Sequence, residues 1–538
     1  MSSALHQRVR RVLTPVVATG GVAMLMLAAI VPFTGVLGGT ATAALLVLGL
    51  IVGLLVLSAR DGCSVLTWMV VLLLLVPQPY VLVGPLKSVG NPATLVALGA
   101  LAIWAASRML NLSQAEELHP VRWVVLVFTI AATASYATGM LRDLTAGERE
   151  SMDRVVFLHL ALLGVVLLAV DELGTRDRIT TLLQRVVLIG AVAAGIGILE
   201  FAFSGFNFRE VMRLPGLTIH VDTIAETRSG FNRITAGASH PIEFSVVTAA
   251  LVPLALHFVL HAENRRWRFA LALTALLAAI PLSVSRSGFL ALAVGFLVYA
   301  ASLSNRGRFN ALVLGVIGLG VFRALVPGLL GTVRSLFRDA GDDPSIQGRT
   351  DDYQQIPDLM HGHWWGGRGL GTFVPDVYFF LDNQYLAALL QGGVIGLGAW
   401  VALLVVGVGV ARGVRRRATD PALRSLGQAL AATIAALGVS AFVFDALSFR
   451  QSSFLLFLTI GCAGALWSLV RHEPKEQHRV GGRPTLTDMG DRSRGGSEGA
   501  GGSLDDGTRA SPAGVGPAGV VPAGVVPAGV GVGPQEAR

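Results

Sequence analysis

Residues 348–400 read GRTDDYQQIPDLMHGHWWGGRGLGTFVPDVYFFLDNQYLAALLQGGVIGLGAW. The first two thirds hold Arg349, Arg368, His361, His363, Trp364, Trp365, Asp382 and Asn383. From Leu386 the stretch turns apolar, and long apolar runs flank it on both sides. A bilayer leaves backbone groups no partner outside the chain, so such runs are read as helices. The polar island between them is where a membrane protein keeps its chemistry.

Working outward, the whole chain fits that reading. Its 538 residues are 53% hydrophobic and 14% charged, with a mean hydropathy of +0.64. A soluble domain carries about 25% charged residues. Apolar runs of about 20 residues recur, the length that crosses the hydrocarbon core. They are continuous rather than alternating, which argues against a membrane β-barrel. The expectation is an all-α polytopic transmembrane bundle of about fourteen spans, with a large extracytoplasmic loop and a disordered tail.

The expected spans fall near 15–33, 41–58, 63–85, 92–108, 121–141, 155–171, 179–203, 241–261, 268–284, 288–303, 309–328, 386–411, 425–446 and 453–471. The arginines test this order, because cytoplasmic loops collect Lys and Arg. With a cytoplasmic N-terminus (1–14), every second connection is cytoplasmic. Those connections hold Arg60, Arg108 and Arg122, Arg176 and Arg178, Arg265-Arg266-Trp267-Arg268, Arg306 and Arg308, and Arg412 with Arg415-Arg416-Arg417. The net charge of +8 is thus a topology signal, and no nucleic-acid partner is expected. The first apolar run, after His6–Arg11, is long enough to remain a span. Cys63 and Cys462 fall in spans and read as buried thiols.

The opposite face receives the long loops 204–240 and 331–385 and the turn Ser283–Gly288. The bundle therefore covers 15–472. The tail, 473–538, is rich in Gly and Pro and ends in PAGVG and PAGVV repeats. It has too little apolar surface to offset ordering entropy, so it is expected to be disordered and cytoplasmic.

Several residues suit chemistry on that face. Arg286 sits among Ser283, Ser285 and Ser287 between two apolar runs. It reads as a snorkelling side chain or as an anion-binding guanidinium. Arg228, Arg233, His240 and Glu243 lead into the next span. The glycines of Gly366–Thr372 open a way for backbone N–H groups to approach an anion. Trp364 and Trp365 suit interfacial anchoring or sugar stacking. Asp382 precedes an apolar helix and reads as its N-cap or as a carboxylate facing the arginines.

In this order these features resemble the O-antigen ligase and polysaccharide polymerase family of polytopic glycosyltransferases. The resemblance covers about 180–470. Its carriers are Ser285-Arg286-Ser287-Gly288, Gly348-Arg349, Gly367-Arg368-Gly369-Leu370-Gly371-Thr372-Phe373, and Asp382-Asn383-Gln384-Tyr385-Leu386 followed by Gln391–Gly396. Arg228 through Pro241 resembles the family's loop before the middle spans. Ligase members carry a histidine where this chain has Asp382.

The resemblance implies transfer of a glycan from a polyprenyl-pyrophosphate donor to a hydroxyl of a glycan or lipid acceptor, at the outer face of the plasma membrane. Arg286 with Arg349 or Arg368 would stabilise the leaving pyrophosphate. Asp382 would take the acceptor proton, with His361, His363 or His240 as substitute bases. Arg228, Arg233, Asn383 and Tyr385 would complete the substrate site. No cofactor and no metal are expected, and the partners are membrane lipids and other polysaccharide-assembly proteins. The rival readings are a transporter or lipid-linked oligosaccharide flippase, and a non-catalytic assembly subunit.

Overall fold

The computed structural model describes residues 47–49, 51–53, 61–83, 89–110, 119–203, 205–219, 227–228, 231–325 and 353–471. The expected first span, most of the second, Arg349 and the tail lie outside the described residues. From the third onward, each expected span falls on a helix. In chain order these are α1 (Gly62–Leu75), α2 (Pro92–Met109), α3 (Pro120–Met140), α4 (Ala146–Glu172), α5 (Arg176–Ala202) and α6 (Pro241–His261). There follow α7 (Arg266–Leu282), α8 (Arg286–Ala300), α9 (Asn305–Leu325), α10 (Gln384–Arg417), α11 (Pro421–Ser440) and α12 (Arg450–Arg471). Nine of the described helices are long and apolar enough to cross a membrane.

Local sequence sets the helix starts. Asn91, His119, His240 and Asp420 each precede a proline at the first helical position, where the missing N–H costs nothing. Thr145 and Glu148 close a capping box at the start of α4. Helices α6 and α12 are the most enclosed, with 83% of their apolar windows buried. Helix α9 stands at the other extreme and buries no residue.

One expected boundary is corrected. The apolar run taken as a span over 63–85 is helical only to Leu75. Pro77 and Pro79 cannot continue the ladder. The rest becomes strand β1 (Tyr80–Leu82), paired antiparallel with β2 (Leu217–Ile219). Its residues are buried, so the hydropathy was that of a covered strand.

The connections sort to two ends, as the arginine alternation requires. At one end Arg176 meets Asp420 at 2.5 Å, Arg178 meets Asp61 at 3.4 Å, and Arg415 donates to the Ala301 carbonyl. There also Asp171 accepts from Arg108, Arg122 and Trp104, a buried charge made tolerable by its partners. At the other end lie the β1–β2 pair, the turn before α8, the polar loop before α10 and the α11–α12 turn. Helix α6 links the ends. Its 21 residues span about 30 Å at the α-helical rise.

Candidate active site

The glycine-rich loop fits into a break in α10. At Gly393 (φ 62°) the helix is interrupted, which frees backbone groups on both sides. The loop takes them up. Arg368 N–H donates to the Leu390 carbonyl at 2.8 Å and Gly369 N–H to the Gln391 carbonyl at 2.9 Å. Gly371 N–H donates to Gln391 Oε1 at 2.8 Å. In return Val394 and Ile395 donate to the Trp364 and Trp365 carbonyls. A Cβ at Gly367 would lie 2.2 Å from the Gln391 oxygen, and one at Gly393 2.2 Å from the Trp365 oxygen. The expected anion cradle is thereby corrected: these amides are spent on repairing α10.

The start of α10 corrects a second reading. Its N-cap is Asn383, whose side chain accepts from Tyr385 and Leu386 N–H at 2.9 and 3.3 Å. Asp382 is therefore not the cap. Gln384 stitches this start to the α11–α12 turn. Its N–H donates to the Ala441 carbonyl at 2.8 Å, and its Oε1 accepts from Leu447 N–H at 2.7 Å. The Tyr385 hydroxyl donates to the Gly438 carbonyl, and its ring stacks on Phe442 at 3.8 Å. Asn383 and Tyr385 thus hold the helix rather than line the space beside it.

That space is a cavity of about 620 Å³. Phe128, Leu158, Phe373, Phe380, Ala388 and Trp400 give it an apolar wall. Its polar lining falls into two groups. Asp382 and Asp445 form the acidic one; Arg154 and Arg450, with His240 beside them, form the basic one. Burial first, then the Asp382 charge, pushes the Asp445 carboxyl up to about 6, against hydrogen bonding from Ser448 and the backbone. Arg154 and Arg450 come from α4 and α12 and lie within electrostatic reach of each other. Arg450 donates to the Gln78 carbonyl at 3.2 Å, and Arg154 makes a 3.4 Å contact with Ser151.

The expected residues distribute unevenly. Asp382 and His240 line the cavity. His240 caps α6, its Nδ1 accepting from Ile242 N–H at 3.1 Å. A neutral ring so engaged carries its proton on Nε2 and is a donor rather than a base. Arg233 Nε donates to the Ser283 carbonyl at 3.2 Å, which brings it to the turn that starts α8 at Arg286. Arg228 has its backbone in the two-residue pair β3–β4 (Thr227–Arg228 with Phe231–Asn232). Arg368 donates to the Leu359 carbonyl and the Tyr378 hydroxyl at 3.2 and 3.0 Å. Tyr378 donates on to Glu148, which also holds Arg142. His361 and His363 follow the helix over 353–360 and are absent from the cavity lining. Desolvation, then the Arg368 and Arg142 charges, lowers the His363 pKa.

Glu243 has a fully buried side chain whose two oxygens accept from Ser239 and Gln451 N–H at 2.8 and 2.6 Å. It ties the starts of α6 and α12 together. Sequence reasoning missed Asp445, Arg154 and Arg450. The first lay inside an expected span and the others at span edges, where a charge reads as a boundary marker. The usable signal was the charged pair Asp445 and Arg450 in the short gap between the last two apolar runs.

A search of curated proteins returns no match. Residues 269–401 match the family model described as O-antigen ligase. The matched segment runs from α7 through Arg286, the glycine loop and Asp382 to Trp400. Asp445, Arg154, Arg450 and His240 lie outside it. The likeness to the O-antigen ligase family therefore rests on residues 269–401 of the 538.

Proposed function

We propose that this protein is a membrane glycosyltransferase that moves a glycan from a polyprenyl-pyrophosphate donor to an acceptor hydroxyl at the outer surface of the plasma membrane. The observation that carries the reading is the cavity beside the start of α10. It combines an apolar wall, cationic groups and carboxylates, and it borders the segment matched to the family. Each part suits one demand of the reaction. The apolar wall accommodates hydrocarbon. Guanidinium groups stabilise the charge that grows on the leaving pyrophosphate as the anomeric C–O bond breaks. A carboxylate takes the acceptor proton as the new C–O bond forms. We assign Arg286, at the start of α8, and Arg233, hydrogen-bonded to the turn before it, to the donor pyrophosphate, with Arg349 as a third.

The test uses purified protein in lipid discs with a polyprenyl-pyrophosphate oligosaccharide. A ladder of products identifies a polymerase; one shifted acceptor band identifies a ligase. Arg286→Ala is expected to abolish transfer while the protein still inserts. An intact donor with every acceptor offered would overturn the reading in favour of transport or an assembly subunit.

A further inference from the structure

We infer that Asp445, outside the segment matched to the family, is the proton acceptor of the proposed transfer, with Asp382 as the partner carboxylate beside it. The inference rests on the transfer reading and names the group that serves it. Placement comes first. The two Gln384 hydrogen bonds, to Ala441 and from Leu447, fasten the start of α10 on both sides of Asp445. Asp382 lies two residues before Gln384, and both carboxylates line the one cavity. The Ser448 hydroxyl donates to an Asp445 oxygen and orients it.

The other bases facing this cavity are less suited. His240 has its Nδ1 engaged by Ile242. His159 lies about 20 Å along α4 from Ala146, with its ring 5.1 Å from Phe128. A proton taken up there would leave a charge in an apolar wall. Arg154 on α4 and Arg450 on α12 supply the cations facing the pair, and His240 before α6 faces it as a ring whose Nδ1 is engaged. A carboxyl titrating at about 6 is half-ionised close to neutral pH, where proton acceptance is most effective. The Asp382 charge beside it is one of the causes that raise its pKa, after burial.

The step balances. The acceptor hydroxyl proton passes to the Asp445 carboxylate as its oxygen bonds to the anomeric carbon. The bond from that carbon to the phosphate oxygen breaks, and its electron pair leaves with the pyrophosphate.

The experiment measures single-turnover transfer from a polyprenyl-pyrophosphate oligosaccharide between pH 5 and 8.5 in lipid discs. The wild type is expected to lose rate as pH falls through about 6. Asp445→Asn should lower the rate by about 10²- to 10⁴-fold and remove that acid limb, with donor binding unchanged. Asp382→Asn should move the limb to lower pH in whatever transfer remains, because losing the neighbouring charge lets Asp445 ionise more readily. Asp445→Glu, a fold-preserving check, should retain the limb at a reduced rate. A wild-type rate and limb in Asp445→Asn, or a limb lost in Asp445→Glu, would overturn the assignment alone. A wild type that leaves the donor intact at every pH would overturn the transfer reading and this inference with it.

Discussion

Glu243 illustrates how a buried charge in a membrane bundle can be structural. Its oxygens serve two backbone amides, one before α6 and one at the second residue of α12. Replacing it with alanine leaves both N–H groups without an acceptor in a buried site. Each orphaned amide costs about 1–3 kcal/mol. Glu243→Ala is therefore expected to lower the thermal midpoint in detergent well beyond Glu243→Gln, which keeps one acceptor. Equal midpoints for the two variants would show that the amides find other partners. The same scale shows what one sequence leaves open. An acid and an amide stand side by side at 382–383, both good caps, and composition does not choose between them. The Asn383 side chain fills the cap, which leaves Asp382 to the cavity. Arg286 and Asp382 stood out as candidates because charge at the edge of an apolar run is costly, and of the two Asp382 lines the cavity. Asp445 was not, because the run was read through it.

The helices were legible as elements. Continuous apolar runs, proline at first helical positions and arginine clusters fix where they start and stop. The relation of the polar loop to α10 was not, since it is made by backbone atoms that carry no side-chain signature. A glycine-rich stretch beside arginines looks like an anion cradle. Here the glycines let two backbones touch, one in a loop and one in a broken helix. This makes a sharp prediction for Gly393. Alanine there would have to adopt φ 62°, ψ −164°, a region essentially reserved to glycine and costing about 1–3 kcal/mol, and would place a Cβ 2.2 Å from the Trp365 oxygen. Gly393→Ala should lower the folded yield on size exclusion and open residues 364–371 to protease. Gly398 lies in the same helix with nothing within 4 Å of an added Cβ. Gly398→Ala should be tolerated, helix propensity favouring it by up to about 1 kcal/mol. Equal behaviour of the two variants would remove the break in α10 as the reason for the glycine motif.

At the scale of the whole molecule, orientation decides whether the proposed chemistry meets its substrates. The cavity, the β1–β2 pair and the glycine loop share one end of α6; the densest arginine clusters among the described residues share the other. On the positive-inside tendency the arginine end is expected in the cytoplasm, which would put the cavity outside. The protein offers its own background for the test, because Cys63 and Cys462 are both buried and should not react with a membrane-impermeant maleimide. Trp365, 75% exposed, lies on the cavity end; Trp267, 65% exposed, lies on the arginine end. In intact cells Trp365→Cys is expected to label, whereas Trp267→Cys should label only after the membrane is opened. The reverse pattern would put the cavity in the cytoplasm and rule out transfer at the outer surface. Labelling of both from one side would contradict the two-ended arrangement of the bundle itself.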